Sequence, residues 1–393
     1  MLAIFFEVRR LLLLVSAITL VDTMLYAALA PLLPHYADEF DLSKGQAGLL
    51  VGAYAGGVVL AAIPSGFAAA RFGPKRAVLA GLVLMALASL AFGFADSALA
   101  LGISRLLQGT GSALSWAGGL AWLVAATPSS RRGEMLGTAI GAAIFGALLG
   151  PALGAVAEHA GTKPAFIGVA ALVGGLAFWA VQTPGVPSQM QSPRTVARAL
   201  RNRVVIGALW LMVLPALLFG LVAVLVPLEL GRAGWGAAAI AAAFITAAAI
   251  ETVVAPLLGR FSDRRGRLLP LRFAVAGGAI ISLAFAFADR PAAIVVLLVA
   301  AAISFGAFWA PAMALLSDGA ERVGLAQAIA FGLMNAAWGA GNWVGPSLGG
   351  ALADAAGDAL PYALMALVCL GTLLVVLRPS FAGTPAVRVP ESP

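Results

Sequence analysis

Residues 145–154 read "FGALLGPALG", and the pattern of this stretch occurs twice in the chain. It lies inside a long apolar run, although Gly and Pro are poor helix formers and Pro151 leaves the carbonyl oxygen of Ala147 without its usual helical donor. The spacing of four glycines and one proline over residues 137–154 recurs over residues 332–349. Such a template is expected by chance only about 10⁻² times or fewer over a chain of this composition. The two segments therefore indicate an internal duplication.

The composition is that of a membrane protein. The 393 residues are 62% hydrophobic and 10% charged, and the mean hydropathy is +1.00. Soluble domains have about 45–50% apolar and about 25% charged residues, and a membrane-spanning helix needs about 20 apolar residues. We predict an all-α membrane protein with twelve spanning helices, from the runs 11–33, 47–69, 77–95, 98–124, 135–157, 164–183, 204–226, 236–258, 270–288, 292–316, 325–353 and 360–377.

The longest polar interruption between two runs is residues 184–203, "PGVPSQMQSPRTVARALRNR". Arg194, Arg198 and Arg201 have helical spacing in it, which predicts a short basic surface helix at the cytoplasmic leaflet. "ALAPLLP" in the first run and "VLVPLEL" in the seventh also correspond, so the halves are predicted to be pseudo-symmetric. We predict an N-terminal six-helix bundle at 1–183, a cytoplasmic linker at 184–203, and a C-terminal six-helix bundle with a short cytoplasmic tail at 204–393.

Positive charge is distributed unequally between the two sides of the predicted bundle. If both termini are cytoplasmic, 19 of the 24 Lys and Arg residues lie on the cytoplasmic side. Lys44, Lys163, Arg232 and Arg290 lie on the external side, and Arg105 lies inside a run. This asymmetry predicts cytoplasmic termini, with the basic excess facing the lipid headgroups. Because Arg outnumbers Lys 21 to 3, as in GC-rich bacteria, we expect a multi-pass protein of the plasma membrane, here the bacterial inner membrane.

Residues typical of enzymes and metal sites are sparse in this chain. The single cysteine, Cys369, lies in the last run, and the two histidines, His35 and His159, lie at external helix ends. The sequence contains neither G-x-x-x-x-G-K-[ST] nor H-E-x-x-H, and no nucleophile–base set lies inside a run. We therefore expect no enzyme activity, no metal, no cofactor and no nucleic-acid partner.

Two acids, Asp22 and Glu251, are the only ones of the seventeen that lie inside the predicted runs. An ionisable group at the centre of a membrane helix costs at least about 2.5–3.5 kcal/mol, so it usually serves a pathway or an ion pair. Thr19, Asp22 and Tyr26 form one helical face, which we expect to line a central cavity. Asp22 is interpreted either as a proton or cation site or as the partner of a static pair with Arg105. Glu251 is either a structural acid or a second protonation site.

Aromatic and amide residues suggest what such a cavity binds. Asn335, Trp338 and Asn342 share one face of the eleventh run, and Trp116 and Trp309 can add aromatic walls. Aromatic walls with few polar anchors suit a small, largely hydrophobic molecule, cationic ones included. A duplicated six-span unit has its substrate site between the halves, so we expect a transporter.

Four motifs resemble the major facilitator superfamily over essentially the whole chain, and within it the twelve-span drug:proton antiporter branch. They are "VDTMLYAALAPLLP" (21–34), "GFAAARFGPKR" (66–76), "RLLQGTGSA" (105–113) and "GRFSDRRGR" (259–267). In that family the second and fourth motifs lock the cytoplasmic face when the carrier opens outward. The corresponding residues here are Gly66, Arg71, Gly73, Lys75, Gly259, Asp263, Arg264, Gly266 and Arg267. Ala70 stands where the family usually has Asp, so the resemblance implies a lock that depends on Asp263.

The resemblance also implies a mechanism. The Gly-Pro pattern is associated with antiporters, and Arg105 is implied to support a nearby carboxylate, with Gln108 at the cavity. We therefore expect a monomeric proton-coupled exporter that binds a small-molecule substrate, protons and lipid and uses the proton gradient as its energy source. The alternatives are a metabolite or sugar carrier of the same fold, or a transport-dead sensor or scaffold. The motif residues of the pattern are Gly146, Gly150, Pro151, Gly154, Gly345 and Pro346.

The glycine stripe of the fifth run gives one further expectation about motion. Gly146, Gly150 and Gly154 are four residues apart and present a surface without side chains. We expect this stripe to face the eighth run, in the other half, and to let it slide during transport. A bulky residue at Gly150 would then block transport more than folding.

The topology can be tested by cysteine labelling. We predict that 184–203 and both termini are cytoplasmic and that 34–46 and 227–235 are external. In a Cys369→Ala background, Ser192→Cys should resist a membrane-impermeant maleimide in intact cells, whereas Asp41→Cys should react. Labelling of Ser192→Cys from outside would overturn the assignment.

Overall fold

The computed structural model describes residues 2–128, 131–187, 193–265, 268–325 and 327–378. In these ranges the chain is helical, with short connections between the helices. The helices are α1 (Leu2–Ala27), α2 (Leu29–Glu39), α3 (Lys44–Phe72), α4 (Pro74–Gly93), α5 (Ala98–Ala126), α6 (Arg132–Ala160), α7 (Thr162–Gln182), α8 (Pro193–Ala199), α9 (Arg203–Arg232), α10 (Ala237–Arg265), α11 (Leu268–Phe285), α12 (Pro291–Gly306), α13 (Trp309–Arg322), α14 (Gln327–Ala356) and α15 (Ala359–Val376).

These helices confirm the predicted fold class of twelve membrane helices in two six-helix bundles. Ten predicted runs correspond to one helix each, whereas the first is divided into α1 and α2 and the tenth into α12 and α13. In the described residues, eight helices are long and apolar enough to cross a membrane, and two shorter apolar helices accompany them. α5 and α14 are not among these ten. α5 carries Arg105, Gln108 and several serines, which its position inside the N-terminal bundle allows.

Local sequence signals set the helix ends. Ser43 begins α3 with a capping box, in which its hydroxyl accepts from the Gln46 N–H and the Gln46 side chain accepts from the Ser43 N–H. Asn202 is the N-cap of α9, and the short helix α8 lies just before it in the chain. Gly73 has a positive φ of 94° and separates α3 from α4 without the strain that a Cβ would cause.

The glycine stripe of α6 faces the first membrane segment, so the expectation that it faces the eighth run is wrong. A Cβ on Gly146 would overlap the carbonyl oxygen of Leu20, and one on Gly150 would lie 2.7 Å from the carbonyl oxygen of Met24. A Cβ on Gly154 would overlap the carbonyl oxygen of Ala28. The stripe therefore packs α6 against α1 and α2 inside the same half. Helical periodicity gives the face of a helix but does not identify the neighbour.

The duplicated pattern has the same structural use in the second half. A Cβ on Gly341 would lie 2.6 Å from the carbonyl oxygen of Val213, and one on Gly345 would lie 2.5 Å from that of Leu217. α14 therefore packs closely on α9, as α6 packs on α1. The sequence repeat is a repeat of close helix pairs, one in each bundle.

The two halves meet mainly through α3 and α14. We call the side of the bundle where residues 184–203 lie the linker side, and the side where α2 ends and α3 begins the far side. A Cβ on Gly52 would lie 3.0 Å from the carbonyl oxygen of Trp343, and one on Gly48 would overlap that of Pro346. A Cβ on Gly339 would lie 3.2 Å from the carbonyl oxygen of Ala55. This close approach covers the part of α3 that is nearer the far side.

Towards the linker side, side chains on the same face of α3 are exposed. Gly56 still touches Trp343, but the residues that continue its face, Leu60, Ile63 and Phe67, are 60%, 57% and 49% exposed. A Cβ on Gly66 would meet nothing within 4 Å. In the described residues, the close contact between the halves therefore lies on the far side.

The packing of α6 on α1 predicts how glycine substitutions affect folding. Gly150→Leu is expected to destabilise the protein by about 1–3 kcal/mol, because the new side chain would meet the backbone of α1. Thermal unfolding in detergent measures this effect. The matched control is Gly141→Leu in the same helix, where a Cβ would meet nothing within 4 Å and stability should not fall. A Gly150→Leu protein with wild-type stability and no transport would support a sliding interface instead.

Candidate functional site

Asp22 is buried in the N-terminal half and is surrounded by hydrogen-bond donors. Its Oδ1 accepts a hydrogen bond of 2.7 Å from the Tyr54 hydroxyl, and its Oδ2 accepts bonds of 3.0 Å from Ser112 and 2.7 Å from the Trp116 indole. The side chain is only 3% exposed. Because an ionised carboxylate is an acceptor only, three donors on its two oxygens suit the charged form.

The neighbouring helices approach closely enough to supply these donors because of two glycines. A Cβ on Gly109 in α5 would overlap the carbonyl oxygen of Tyr54, and one on Gly57 in α3 would overlap that of Leu106. Glycine at both positions lets the backbones of α3 and α5 touch. Tyr54 from α3 and Ser112 from α5 can then reach the same carboxylate.

Arg105 lies beside this site but binds the backbone rather than Asp22. Its Nη1 donates to the carbonyl oxygen of Leu25 at 3.0 Å, and its Nη2 donates to that of Tyr26 at 3.0 Å, where α1 ends. The guanidinium also lies over the Tyr54 ring, 4.7 Å from its centroid. In the described structure Asp22 and Arg105 form no direct ion pair, and Tyr54 links the two charges. The static pair considered from the sequence is therefore absent from this arrangement.

Two predicted cavity residues have other partners. Thr19 donates to the carbonyl oxygen of Ala139 at 2.9 Å and is almost fully buried against α6. Gln108 is fully buried, accepts from Arg105 at 3.2 Å and donates to Ser89 at 3.2 Å. In this structure Thr19 and Gln108 are therefore packed between helices, and their place at a cavity stays a prediction. A hydroxyl or amide in a membrane helix needs a hydrogen-bond partner, and a neighbouring helix provides one for each of these two side chains.

Other predicted residues meet at the boundary between the halves. The Tyr26 hydroxyl donates to Asn342 Oδ1 at 2.7 Å, and its ring packs edge-on against Trp338 with centroids 4.9 Å apart. The Tyr54 ring lies 5.4 Å from the Tyr26 ring, so an aromatic layer extends from the Asp22 site to α14. Asn335 is partly buried on the same helix, whereas the side chain of Trp309 lies outside the described part of the structure.

Glu251 is separate from the Asp22 site. Its carboxylate lies against Gly306 at the end of α12, where Oε1 would be 2.5 Å from an added Cβ. In the described part of the chain, no hydrogen bond or ion pair involves this carboxylate. The neighbour shown for Glu251 is thus in the C-terminal half, and both sequence interpretations of this acid stay open.

The motif between α3 and α4 holds the start of the linker in this conformation. The Lys75 ammonium donates to the carbonyl oxygens of Val181 at 2.7 Å and Thr183 at 2.8 Å, at the end of α7. Arg71 is exposed near the Phe72 ring. The side chains of the second copy, Gly259, Asp263 and Arg264, and the residues Gly266 and Arg267 lie outside the described part, as does the lock expected at Asp263.

The sequence analysis missed two residues that contact the site. Tyr54 and Ser112 are donors to Asp22, and neither was selected as a site residue. Ser112 and Trp116 are four residues apart and so lie on one face of α5, which could have indicated that both contact the same group. The position of Tyr54 between Gly52 and Gly57 indicated a close helix contact, but it did not indicate that the Tyr54 hydroxyl binds Asp22.

With this geometry described, comparison with known proteins identifies the family. Residues 15–331 match the family model of the Major Facilitator Superfamily. The chain belongs to this superfamily. Its members are membrane transporters, and the chain has the corresponding fold.

Curated relatives match over shorter segments. The MFS-type transporter ppzB of Metarhizium rileyi is 34% identical over 122 residues, covering 30% of this chain and 25% of that protein. The probable vesicular acetylcholine transporter-B of Danio rerio is 33% identical over 142 residues, covering 34% and 29%. The class D tetracycline resistance protein of Salmonella ordonez is 32% identical over 147 residues, covering 37% and 35%. The matched segments thus span a quarter to about a third of these relatives.

A solved structure confirms the fold over nearly the whole chain. It is a bacterial homologue of the human lysosomal transporter Spinster, in an inward-facing and unoccupied conformation. The TM-score is 0.74, with 15% sequence identity and coverage of 94% of this chain and 95% of that chain. At this identity the likeness concerns the fold alone.

Proposed function

We propose that this transporter is a proton-coupled antiporter that exports small, largely hydrophobic compounds, including cationic ones. The observation that carries the proposal is the buried Asp22, an ionisable side chain at mid-membrane depth whose donors come from two neighbouring helices. A carboxylate in such a position is costly, so its retention favours a coupling role.

Protonation of Asp22 would change this hydrogen-bond arrangement. A neutral carboxyl group carries one O–H that itself needs an acceptor, so a surrounding hydroxyl, that of Tyr54 or Ser112, would have to turn and accept from it. Tyr54 would transmit the change, since its hydroxyl binds Asp22 and its ring lies between Arg105 and Tyr26. Tyr26 in turn bonds Asn342 across the boundary between the halves. The protonation state of Asp22 would therefore strengthen or weaken the Tyr26–Asn342 contact between the halves, which must break during alternating access.

The substrate class follows from the side chains near this boundary. Tyr26, Trp338 and Trp116 offer aromatic faces and few polar anchors, which suits hydrophobic molecules and favours cations over their ring faces. The similarity to a tetracycline resistance protein and to a vesicular acetylcholine transporter supports drug export and cationic substrates, respectively.

We further propose that the protein acts as a monomer in a bacterial inner membrane with both termini cytoplasmic, and uses the proton gradient with no cofactor. Each cycle would exchange a substrate bound from the linker side for protons bound from the far side. Asp22 would release its proton when the site opens to the less acidic cytoplasm.

The proposal predicts the behaviour of Asp22→Asn. The amide is nearly isosteric and does not titrate, so the variant should insert and fold but lose proton-driven accumulation of substrate. The measurement is uphill transport of a panel of fluorescent hydrophobic cations in proteoliposomes with an imposed pH gradient. The control is Asp38→Asn, the same change at an exposed acid in α2, which should retain uphill transport.

Two outcomes would contradict this assignment. Uphill transport by Asp22→Asn at the wild-type level would place the coupling proton elsewhere. Glu251→Gln would then be measured in the same assay. If that variant loses uphill transport, Glu251 in α10 is the coupling acid. If the wild-type protein does not accumulate any of the cations, the carrier belongs to another substrate class.

A further inference from the structure

Asp354 of α14 binds the start of a helix in the other half. Its Oδ1 accepts a hydrogen bond from the backbone N–H of Lys44 at 2.9 Å, and its Oδ2 accepts one from that of Gly45 at 2.7 Å. The Ser43 hydroxyl accepts from the N–H of Gln46, so the first three N–H groups of α3 are all bonded. These groups have no partner within their own helix. The C-terminal half therefore completes the N-terminal cap of α3.

Asp354 is placed unfavourably in its own helix. It lies in the last turn of α14, where the partial negative charge of the helix end repels a carboxylate, and that turn contains no basic residue. Both hydrogen bonds described for its side chain cross the boundary between the halves. At the start of α3 the helix end is positive and attracts the same carboxylate. Asp354 therefore stabilises the conformation in which the halves meet on the far side more than one in which they have separated there.

Asp358 also binds across the boundary rather than to its own helix. It occupies the N-cap position of α15, but its side chain makes no capping hydrogen bond there. Its Oδ1 forms an ion pair with the Lys44 ammonium, and its Oδ2 lies 3.6 Å from Nη1 of Arg232 in the same half. When the halves separate, Arg232 remains beside Asp358, whereas Lys44 loses this partner. We call Asp354, Asp358, Lys44 and Gly45 the far-side latch.

Glycines let the two backbones approach closely enough for this contact. A Cβ on Gly350 in α14 would overlap the carbonyl oxygen of Lys44, and one on Gly45 would lie 2.9 Å from Oδ2 of Asp354. The latch is reached by water, because Asp354 is exposed and the side chains of Lys44 and Asp358 are 15% and 23% exposed. Polar contacts of this kind stabilise a conformation only modestly. The latch can therefore hold the halves together on the far side and still open during transport.

We propose that Asp354 is a positioning residue that sets the balance between the two conformations of this transporter. Its cap on α3 favours contact between the halves on the far side, and the Lys44–Asp358 pair adds to this preference. Opening on the far side must break the cap, and it leaves Asp354 at the negative end of its own helix. The conformation closed on the far side is therefore the resting one without substrate. The proposal depends neither on Asp22 nor on what the carrier transports.

The test is a distance measurement across the far side in lipid nanodiscs. Spin labels are attached to Glu158→Cys at the end of α6 and Phe287→Cys after α11, in a Cys369→Ala background. Both positions are exposed, and neither belongs to the latch. With the latch intact and no substrate, the shorter distance should dominate. Asp354→Ala should raise the ratio of the longer to the shorter distance about fivefold, which is the usual effect of losing an N-terminal cap.

Further variants separate the parts of the latch. Lys44→Gln removes the ion pair but keeps the backbone N–H that Asp354 binds, so it should raise the ratio less than Asp354→Ala does. The two changes together should open the far side more than either change alone. The matched control is Asp38→Ala, which removes the same charge from an exposed far-side position in α2 and should leave the distance distribution unchanged.

An unchanged distance distribution in Asp354→Ala would overturn the proposal. An equal shift in Asp38→Ala would overturn it too, because the effect would then come from far-side charge in general. If Asp354→Ala does not fold, as judged by size-exclusion chromatography, Asp354→Asn decides. Its amide group turns a donor towards an N–H of α3, so it should also open the far side, and a wild-type distribution would contradict the latch.

The same measurement separates this proposal from the one for Asp22. In an Asp22→Asn background, Asp354→Ala should raise the ratio by the same factor as in the unsubstituted protein, because the two sites share no partner. The latch therefore stands or falls whether or not Asp22 carries the coupling proton.

Discussion

The burial of Asp22 is the constraint on which the N-terminal half depends, because an ionised carboxylate away from water must be surrounded by donors. Those donors come from α3 and α5, and they reach Asp22 only because Gly57 and Gly109 let the two backbones touch. Arg105 adds a compensating positive charge but uses its own donors to bind the end of α1. The burial of Asp22 therefore depends on the packing of α3 against α5. It also depends on Arg105, which binds the end of α1 where the first membrane segment is interrupted.

The duplication repeats the scaffold but not the chemistry. α6 packs on α1 as α14 packs on α9, each through three glycines four residues apart. The position of α9 that corresponds to Asp22 is occupied by Leu218, which is buried among apolar residues. The polar groups of the C-terminal half lie instead at its far-side end, where Asp354 and Asp358 bind the start of α3. A symmetric framework thus carries a buried carboxylate in one half and a polar closure in the other.

Much of this architecture could be predicted from sequence, and the remainder has a physical reason. Apolar run length and the basic linker predict twelve helices and two bundles, because the bilayer fixes the helix length. The period of a helix shows that Gly146, Gly150 and Gly154 share a face, but it does not reveal that α1 is their neighbour. Thr19 and Gln108 have the residue types of a cavity lining, yet adjacent helices accept their hydrogen bonds.

Proton exchange at Asp22 can be measured without knowledge of the substrate, by infrared difference spectroscopy of the purified protein in lipid during a pH titration. A protonated carboxyl group has a carbonyl stretching band that a carboxylate lacks, and the difference between wild-type and Asp22→Asn spectra isolates the contribution of one residue. We expect a band that grows on acidification in the wild-type protein and is reduced by one carboxyl group in Asp22→Asn. Identical bands in the two proteins throughout the titration would contradict a titrating Asp22.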